Sequence, residues 1–257
     1  MIKTVEQLAH LAQGLRAKRE IRSFLKAEER AVKFEYGIKD EVWSWYGGMV
    51  CEYDATFARI LDAFNLYSFR HILAERAKKG LSTYVLDLMG GDASFLRDLK
   101  YPANKQDNPS PFNAGLCVTL VDGRQKRLQE LDQRLNIEVL CGDLTSKRTW
   151  ALIDEKQREM GIDAFDLIVC RGADGVKEDM IPRALYPFLF GKIWGRLSGN
   201  DGLFLTQLPE TIRPRELLGQ LRLIPEIRLN FQPSRYRPAE VYPSLGIIKT
   251  SAAPENL

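Results

Sequence analysis

From residue 81 onward, short apolar runs alternate with longer amphipathic segments, and this alternation predicts the fold class. The apolar runs are predicted strands: Tyr84–Leu88, Cys117–Val121, Ile137–Leu140, Phe165–Cys170 and Gly202–Thr206. The segments between them carry apolar residues at helical spacing: Ser94–Leu99, Gln125–Arg134, Lys147–Met160 and Met180–Leu197. Strands that alternate with helices are joined by crossover connections, so the pattern predicts an α/β fold with a doubly wound, mostly parallel sheet. Two last runs, Leu223–Phe231 and Leu245–Thr250, have no helical pattern between them and predict an antiparallel edge.

The first 80 residues follow a different pattern, and we assign residues 1–80 to a helical cap in front of a core formed by residues 81–257. Residues 4–31 carry helical periodicity, and residues 54–79 predict one longer helix that ends at Gly80. An aromatic cluster lies between and beside them: Phe34, Tyr36, Trp43, Trp45, Tyr46, Tyr53 and Phe57. Aromatic side chains of this kind either cover a ligand pocket or fasten the cap to the core, and fastening is the simpler interpretation for most of them.

One polar stretch, Tyr101–Gly115, interrupts the alternation between the first two predicted strands. It is rich in proline and asparagine, which predicts an exposed loop. A lid over the adjacent sheet edge and a plain surface loop are both open interpretations.

Composition narrows the class of protein. The chain has 257 residues, of which 45% are hydrophobic and 28% charged, an ordinary balance for a protein with a sizeable core. It contains no run of about 18 apolar residues and no apolar leader segment, so we expect a cytoplasmic protein without a membrane span. Four scattered cysteines, none in a Cys-x-x-Cys pair, and two distant histidines give no support for a metal centre or a Ser-His-Asp triad.

The net charge of +3 is concentrated at the N-terminus. Residues 1–36 hold eight basic and five acidic side chains, an excess of three, so the remainder is neutral with 29 of each. Five basic residues recur at helical spacing on one predicted face: Arg19, Arg22, Lys26, Arg30 and Lys33. This face is either an RNA-binding stripe or an ordinary solvated surface, and the interleaved glutamates favour the solvated surface.

In an open α/β sheet, ligands bind beyond the carboxyl ends of the strands, so the residues after each apolar run are the candidate site. Gly90 and Gly91 follow the first run and allow close approach of the backbone. Asp122 follows the second run and can accept hydrogen bonds from both hydroxyls of a ribose. Asp143 and Leu144 follow the third run, where a carboxylate can accept from an adenine amino group and an apolar side chain can pack on the ring.

These residues resemble the motifs of the class I S-adenosylmethionine-dependent methyltransferases. The segment 87–93, DLMGGDA, is similar to the first motif, an acid followed by a glycine-rich turn. Asp122 matches the acid that binds ribose, and residues 142–144 match the motif that contacts adenine. Met89 and Ala93 depart from the family, which commonly has glycine at both positions. The resemblance implies a Rossmann-like core of seven strands in the order 3-2-1-4-5-7-6, with the last strand antiparallel.

The resemblance also implies S-adenosylmethionine as the cofactor and a set of residues around it. Those cofactor-binding residues are Asp87, Met89, Gly90, Gly91, Asp122, Gly123, Asp143, Leu144 and Cys170. The candidates for catalysis or acceptor binding follow later strands or come from the cap: Arg171, Asp174, Gln207, Glu210 and Tyr53. A small-molecule acceptor under the aromatic cap is the first hypothesis. The alternatives are an RNA methyltransferase, a non-catalytic subunit with a decayed cofactor site, and a dehydrogenase, which the absence of a GxGxxG motif disfavours.

Overall fold

The computed structural model describes residues 49–100, 112–119, 122, 124–144, 146–171, 186–207, 226–233 and 241–249. The helices are α1 (Val50–Ala63), α2 (Phe69–Lys78), α3 (Ser94–Lys100), α4 (Lys126–Arg134), α5 (Lys147–Glu159) and α6 (Tyr186–Trp194). The strands are β1 (Thr83–Leu88), β2 (Phe112–Thr119), β3 (Ile137–Cys141), β4 (Leu167–Cys170), β5 (Gly202–Gln207), β6 (Glu226–Pro233) and β7 (Val241–Lys249).

The described strands form a seven-stranded sheet in the order β3-β2-β1-β4-β5-β7-β6. Strands β1 to β5 pair in parallel, whereas β7 runs antiparallel to both β5 and β6. The predicted fold class, strand order and antiparallel ending are therefore confirmed. The order places β1 and β4 side by side at the centre, where the chain reverses its direction of winding across the sheet.

Helices cover both faces of the sheet, because alternate residues of its central strands are apolar on both sides. Val85 of β1 packs in a core cluster with side chains of α1, α2 and α3. Leu86 and Leu88 belong to the cluster on the opposite face, with α5 and α6. Asp87 lies two residues after Val85 in β1, so its side chain points to the same face of the sheet, which α1 and α3 cover.

The predicted single helix over residues 54–79 is wrong, since the structure has two helices there. Asn65 adopts a left-handed backbone with φ of 58° directly after α1. The N–H of Leu66 donates to the carbonyl of Leu61 (2.7 Å), so the exposed carbonyls of the last turn are satisfied and the helix ends. Ser68 then caps α2 by accepting from the N–H of His71 at 3.1 Å.

The predicted loop over residues 101–115 is too long. Strand β2 begins at Phe112, whose side chain is only 1% exposed. The side-chain oxygen of Asn113 accepts from the N–H of Thr83, and this bond extends the pairing of β1 with β2. Polar composition predicted a loop up to residue 115, but burial of the Phe112 ring favours a strand from that residue onward. Residues 101–111 lie outside the described residues.

Helices α1 and α2 share a core with the sheet. Tyr53, Phe57 and Phe69 are at most 2% exposed and pack with Phe95 of α3. Tyr53 and Phe57 therefore fasten α1 to the core. The division at residue 80 into a cap and a core stays a prediction, and residues 1–48 lie outside the described residues.

Candidate functional site

The turn between β1 and α3 is built on left-handed backbone. Met89, Gly91 and Ala93 have φ values of 63°, 59° and 63°. Only glycine adopts this region without steric cost. The two positions where this chain lacks the family's glycine, Met89 and Ala93, are thus both in a conformation that favours glycine.

Gly90 is required by the residue that precedes the turn. A Cβ atom at Gly90 would lie 2.1 Å from Oδ2 of Asp87 and 2.8 Å from Sγ of Cys117. The N–H of Gly90 donates to the carbonyl of Val118 at 3.2 Å, which ties the turn to β2. The absent side chain at Gly90 therefore makes room for the Asp87 carboxyl.

Asp87 is fully buried, and α1 supplies its partner. The Tyr53 hydroxyl donates to Oδ1 at 3.1 Å, with Oδ2 at 3.4 Å. The Tyr53 ring stacks on Phe95 with centroids 3.9 Å apart, which fixes the hydroxyl in place. Burial raises the pKa of Asp87 to about 8, although the Tyr53 hydrogen bond and the Arg171 charge act in the opposite direction. Tyr53, a predicted catalytic candidate, therefore contacts a predicted cofactor residue.

Asp92 places a carboxylate at the start of α3. Its Oδ1 accepts from the N–H of Ser94 at 3.0 Å and from the Ser94 hydroxyl at 2.6 Å. Its Oδ2 pairs with Arg97 at 3.0 Å. A negatively charged side chain thus occupies the position at which a Rossmann dinucleotide site holds its pyrophosphate.

A chain of ion pairs leads from this turn to the predicted ribose acid. Arg97 bridges Asp92 to Asp132, whose side chain is only 1% exposed and lies 3.0 Å from Arg97. Asp132 also pairs with Arg124, and Arg124 in turn pairs with Asp122. Sequence reasoning missed Asp92, Arg97, Arg124 and Asp132 because their importance depends on pairing across α3, α4 and the end of β2.

Asp122 lies at the predicted edge, three residues beyond β2, and its side chain is 22% exposed. Hydrogen bonds from Arg124 lower its pKa, so the carboxyl is ionised at neutral pH. The predicted hydrogen-bond acceptor for a ribose is therefore present, and an arginine of this chain already binds it. Gly123 lies outside the described residues.

The residues after β3 are positioned through their backbone. The N–H of Gly142 donates to Thr119 at 2.8 Å, so the segment continues the β2–β3 edge. The carbonyl of Leu144 accepts from the Trp150 indole at 2.7 Å, which fixes the loop to α5. Asp143 and Leu144 are both partly exposed next to this edge, as the predicted adenine contact requires.

Arg171 follows β4 and points to α1. Its guanidinium donates to Glu52 and to the Thr56 hydroxyl, each at 3.1 Å, and lies 5.1 Å from the centre of the Tyr53 ring. Cys170, just before it, is partly exposed and lies beside Leu88 of β1. The role in catalysis or acceptor binding for which Arg171 is a candidate stays a prediction.

Two polar side chains lie side by side where β5 ends next to β7. Gln207 and Ser244 are directly paired across these antiparallel strands. Among the described residues, neither Oε1 of Gln207 nor Oγ of Ser244 has a hydrogen-bond partner, although both atoms are buried. Such atoms carry a desolvation cost unless another group supplies the bond. The other two predicted candidates, Asp174 and Glu210, lie outside the described residues.

The carboxyl ends of β1, β2, β3, β4 and β5 thus bring most of the predicted site to one edge of the sheet. The strand order and a glycine-containing turn after the central β1, with an acid beyond β2, together define the architecture. The chain has the Rossmann-like fold and strand order that its resemblance to the class I methyltransferases implied.

Within the described residues, no group of three His, Cys, Asp or Glu side chains is arranged to hold a metal ion. None of the described helices is both long enough and apolar enough to cross a membrane.

Comparisons with known proteins give distant structural likenesses and no match in sequence. No protein-family model matches the chain, and no curated protein sequence matches it. Among solved structures, it is similar to an rRNA methylase from Streptococcus thermophilus, with 13% identity, a TM-score of 0.37, and coverage of 66% of this chain and 87% of the methylase. A predicted O-methyltransferase from Agrobacterium tumefaciens is 14% identical, with a TM-score of 0.34 and coverage of 65% of this chain and 74% of that protein.

A spermidine synthase from Thermotoga maritima is 16% identical, with a TM-score of 0.33 over 66% of this chain. The chain spans 54% of the length of that synthase. The three proteins are named for different activities, so the activity of this chain has to be argued from its own residues.

Proposed function

We propose that this protein transfers a methyl group from S-adenosylmethionine to a small-molecule acceptor. The observation that carries the proposal is the Asp92 carboxylate, which accepts the N–H of Ser94 at the start of α3. A dinucleotide needs the backbone N–H groups at this position for its phosphates, and the Asp92 side chain already accepts the N–H of Ser94. S-adenosylmethionine has no phosphate and does not need the N–H of Ser94, so the occupied position favours it over a dinucleotide.

The residues present fit this cofactor. The Met89–Ala93 turn brings backbone to the edge of the sheet, and Gly91 is partly exposed there. Asp122 supplies an ionised carboxylate for ribose hydroxyls, and Asp143 and Leu144 lie at the end of the neighbouring β3. When bound, the cofactor supplies an already activated methyl group, so the main task of the protein is to align the acceptor with it.

The acceptor lies, in this proposal, beyond the ends of β4 and β5. The paired side chains of Gln207 and Ser244 have hydrogen-bonding atoms that no described residue satisfies, and Gln207 ends β5. A neutral acceptor with a hydroxyl, amide or amine group can satisfy them. The basic face of Arg19–Lys33, on which the RNA hypothesis depends, lies outside the described residues.

Calorimetry on the full chain tests the cofactor assignment. We expect binding of S-adenosylmethionine and S-adenosylhomocysteine, and no binding of NAD or ATP at the same concentrations. Asp122→Asn should weaken S-adenosylmethionine by about tenfold, because a carboxylate is a stronger acceptor than an amide for ribose hydroxyls. Asp163→Asn is the matched control, since Asp163 is exposed before β4, at the opposite edge of the sheet.

Binding of NAD in preference to S-adenosylmethionine would contradict the proposal and favour the dehydrogenase. No binding of any of these ligands would favour the non-catalytic subunit. For the acceptor, methyl-labelled cofactor is incubated with the protein and either total RNA or a small-metabolite extract. Label in the metabolite fraction supports the proposal, whereas label in the RNA fraction supports the RNA methyltransferase.

A further inference from the structure

Arg124 binds the carboxylate that the proposed cofactor needs. Its Nε donates to Oδ1 of Asp122 at 2.8 Å, and its Nη2 donates to Oδ2 at 2.7 Å. The backbone N–H of Arg124 also donates to Oδ1 at 3.1 Å. The Arg124 side chain is only 7% exposed, so this pair is more than a transient surface contact.

The number of lone pairs limits what Asp122 can still accept. Each carboxylate oxygen has two acceptor sites. Oδ1 already accepts two hydrogen bonds from Arg124 and Oδ2 accepts one, so one site remains. A ribose presents two neighbouring hydroxyls. Asp122 can therefore accept both of them only if a side-chain nitrogen of Arg124 moves away.

The surrounding ion pairs permit such a movement without isolating a buried charge. A second nitrogen of Arg124, Nη1, pairs with Asp132 at 2.5 Å. Asp132 is also held by Arg97 at 3.0 Å. When Arg124 leaves Asp122, it keeps Asp132 as a partner, and Asp122 gains the ribose hydroxyls.

We propose that Arg124 is a positioning residue that competes with the cofactor ribose for Asp122. Binding replaces the two side-chain hydrogen bonds from Arg124 to Asp122, here called the Arg124–Asp122 fork, with hydrogen bonds from the ribose. This inference rests on the proposed function. In the free protein, Arg124 keeps Asp122 ionised and oriented. The same contact reduces the affinity for the cofactor, since cofactor binding has to break hydrogen bonds between Arg124 and Asp122.

Two substitutions at Arg124 test the competition by calorimetry. Arg124→Met removes the fork and leaves Asp132 paired with Arg97, and Arg124→Lys keeps the charge but cannot donate from two nitrogens in one plane. We expect Arg124→Met to lower the dissociation constant of S-adenosylmethionine by roughly tenfold, and Arg124→Lys to lower it by a smaller factor. Arg134→Gln is the control at the end of the following helix, α4, since Arg134 donates to the backbone carbonyl of Glu130.

A double-mutant cycle removes effects on folding. In the Asp122→Asn background, Arg124→Met should change the dissociation constant by less than about twofold, because the asparagine no longer forms the charged fork. Circular dichroism confirms that each variant is folded before calorimetry.

NMR provides a readout that does not depend on affinity. The Arg124 Nε–H resonance reports the hydrogen bond to Asp122 in the free protein, and we expect it to shift and exchange faster with water on saturation with S-adenosylmethionine. An unchanged resonance, or unchanged or weaker binding by both Arg124 variants, overturns the competition while leaving the proposed function intact. If neither the wild type nor the variants bind S-adenosylmethionine, the proposed function fails and the inference fails with it.

Discussion

Individual residues of the turn show the cost of left-handed backbone at positions other than glycine. Met89 and Ala93 both adopt this backbone, with φ of 63°. An L-residue in this region is destabilised by about 1–2 kcal/mol relative to its usual conformation. The turn persists because its neighbours over-determine it, through the bond from Gly90 to Val118 and the bond from Ala93 to Gly90.

Met89→Gly should therefore stabilise the protein relative to Met89→Ala. Both variants lack the methionine side chain beyond Cβ, and they differ only in whether the Cβ that causes the strain is present. We expect the glycine variant to have a free energy of unfolding higher by about 1 kcal/mol, measured by urea denaturation. Ala77→Gly on α2 is the control, because at an exposed helical position glycine should instead lower stability by about 0.5–1 kcal/mol. If Met89→Gly is no more stable than Met89→Ala, the backbone at residue 89 is not strained.

Asp87 should make stability depend on pH. Its folded-state pKa of about 8 lies above the unfolded value, so the folded protein holds the proton over a wider range. The stability that this adds is fully present below the unfolded pKa of about 4 and is lost as pH rises to about 8, by up to about 1.4 kcal/mol per pH unit.

Comparison of the wild type with Asp87→Asn isolates this contribution. The asparagine can still accept from Tyr53 but does not titrate. Thermal unfolding at pH 5, 6, 7 and 8 should show the wild type losing stability relative to the variant as pH rises. Parallel curves for the two proteins would show that Asp87 has an ordinary pKa.

At the scale of elements, the end of β4 is fastened to α1 by Arg171. The guanidinium contacts Glu52, Thr56 and the Tyr53 ring, all on one face of α1. Arg171 therefore holds the helix that carries the Tyr53–Asp87 hydrogen bond. The contact joins the packing of α1 to the geometry of the turn.

If Arg171 fastens α1, Arg171→Gln and Glu52→Gln should destabilise the protein by similar amounts and non-additively. We expect an interaction energy of about 0.5–1 kcal/mol from the double-mutant cycle, since the pair is partly exposed. Urea denaturation without any ligand provides the measurement. Additive effects, or an Arg171→Gln variant as stable as the wild type, would instead leave Arg171 available for the acceptor.

At the scale of the whole molecule, the first described helix packs on the last strand. A Cβ at Gly246 of β7 would lie 2.3 Å from Ile60 and 2.8 Å from Phe64. This close approach brings α1 against β7, so residues nearly 200 positions apart in the chain complete one core (246 − 60 = 186).

Gly246→Ala should consequently separate α1 from the sheet and lower the free energy of unfolding by about 1–3 kcal/mol. Gly191→Ala is the control, because a Cβ there meets no atom within 4 Å and alanine favours the helix α6. We expect the control to be as stable as the wild type or more stable, by denaturation in urea. Equal stability of the two variants would exclude tight packing of α1 on β7.

Much of the candidate site was predictable from the sequence because parallel strands gather their carboxyl ends at one edge. Asp87, Gly90, Asp122 and Asp143 were found in this way. Arg124, by contrast, was not predicted, because no motif marks the basic residue that follows Asp122 and Gly123. Its bonds to Asp122 and Asp132 depend on the geometry of α4. The break between α1 and α2 was missed because the apolar periodicity continues through Phe64, while the left-handed Asn65 ends the helix locally.

The sequence by itself determined the α/β class and the edge at which the acids gather, whereas the sheet order was implied by the resemblance to a known family. The reason is that apolar periodicity and the position of an acid after a strand are local properties of the chain. Only the tertiary structure decided how the charges pair. The turn beginning with Asp87 is one end of that arrangement, because burial under Tyr53 raises the pKa of this carboxyl, while the ion pairs from Asp92 to Asp122 place Arg124 on the predicted ribose acid.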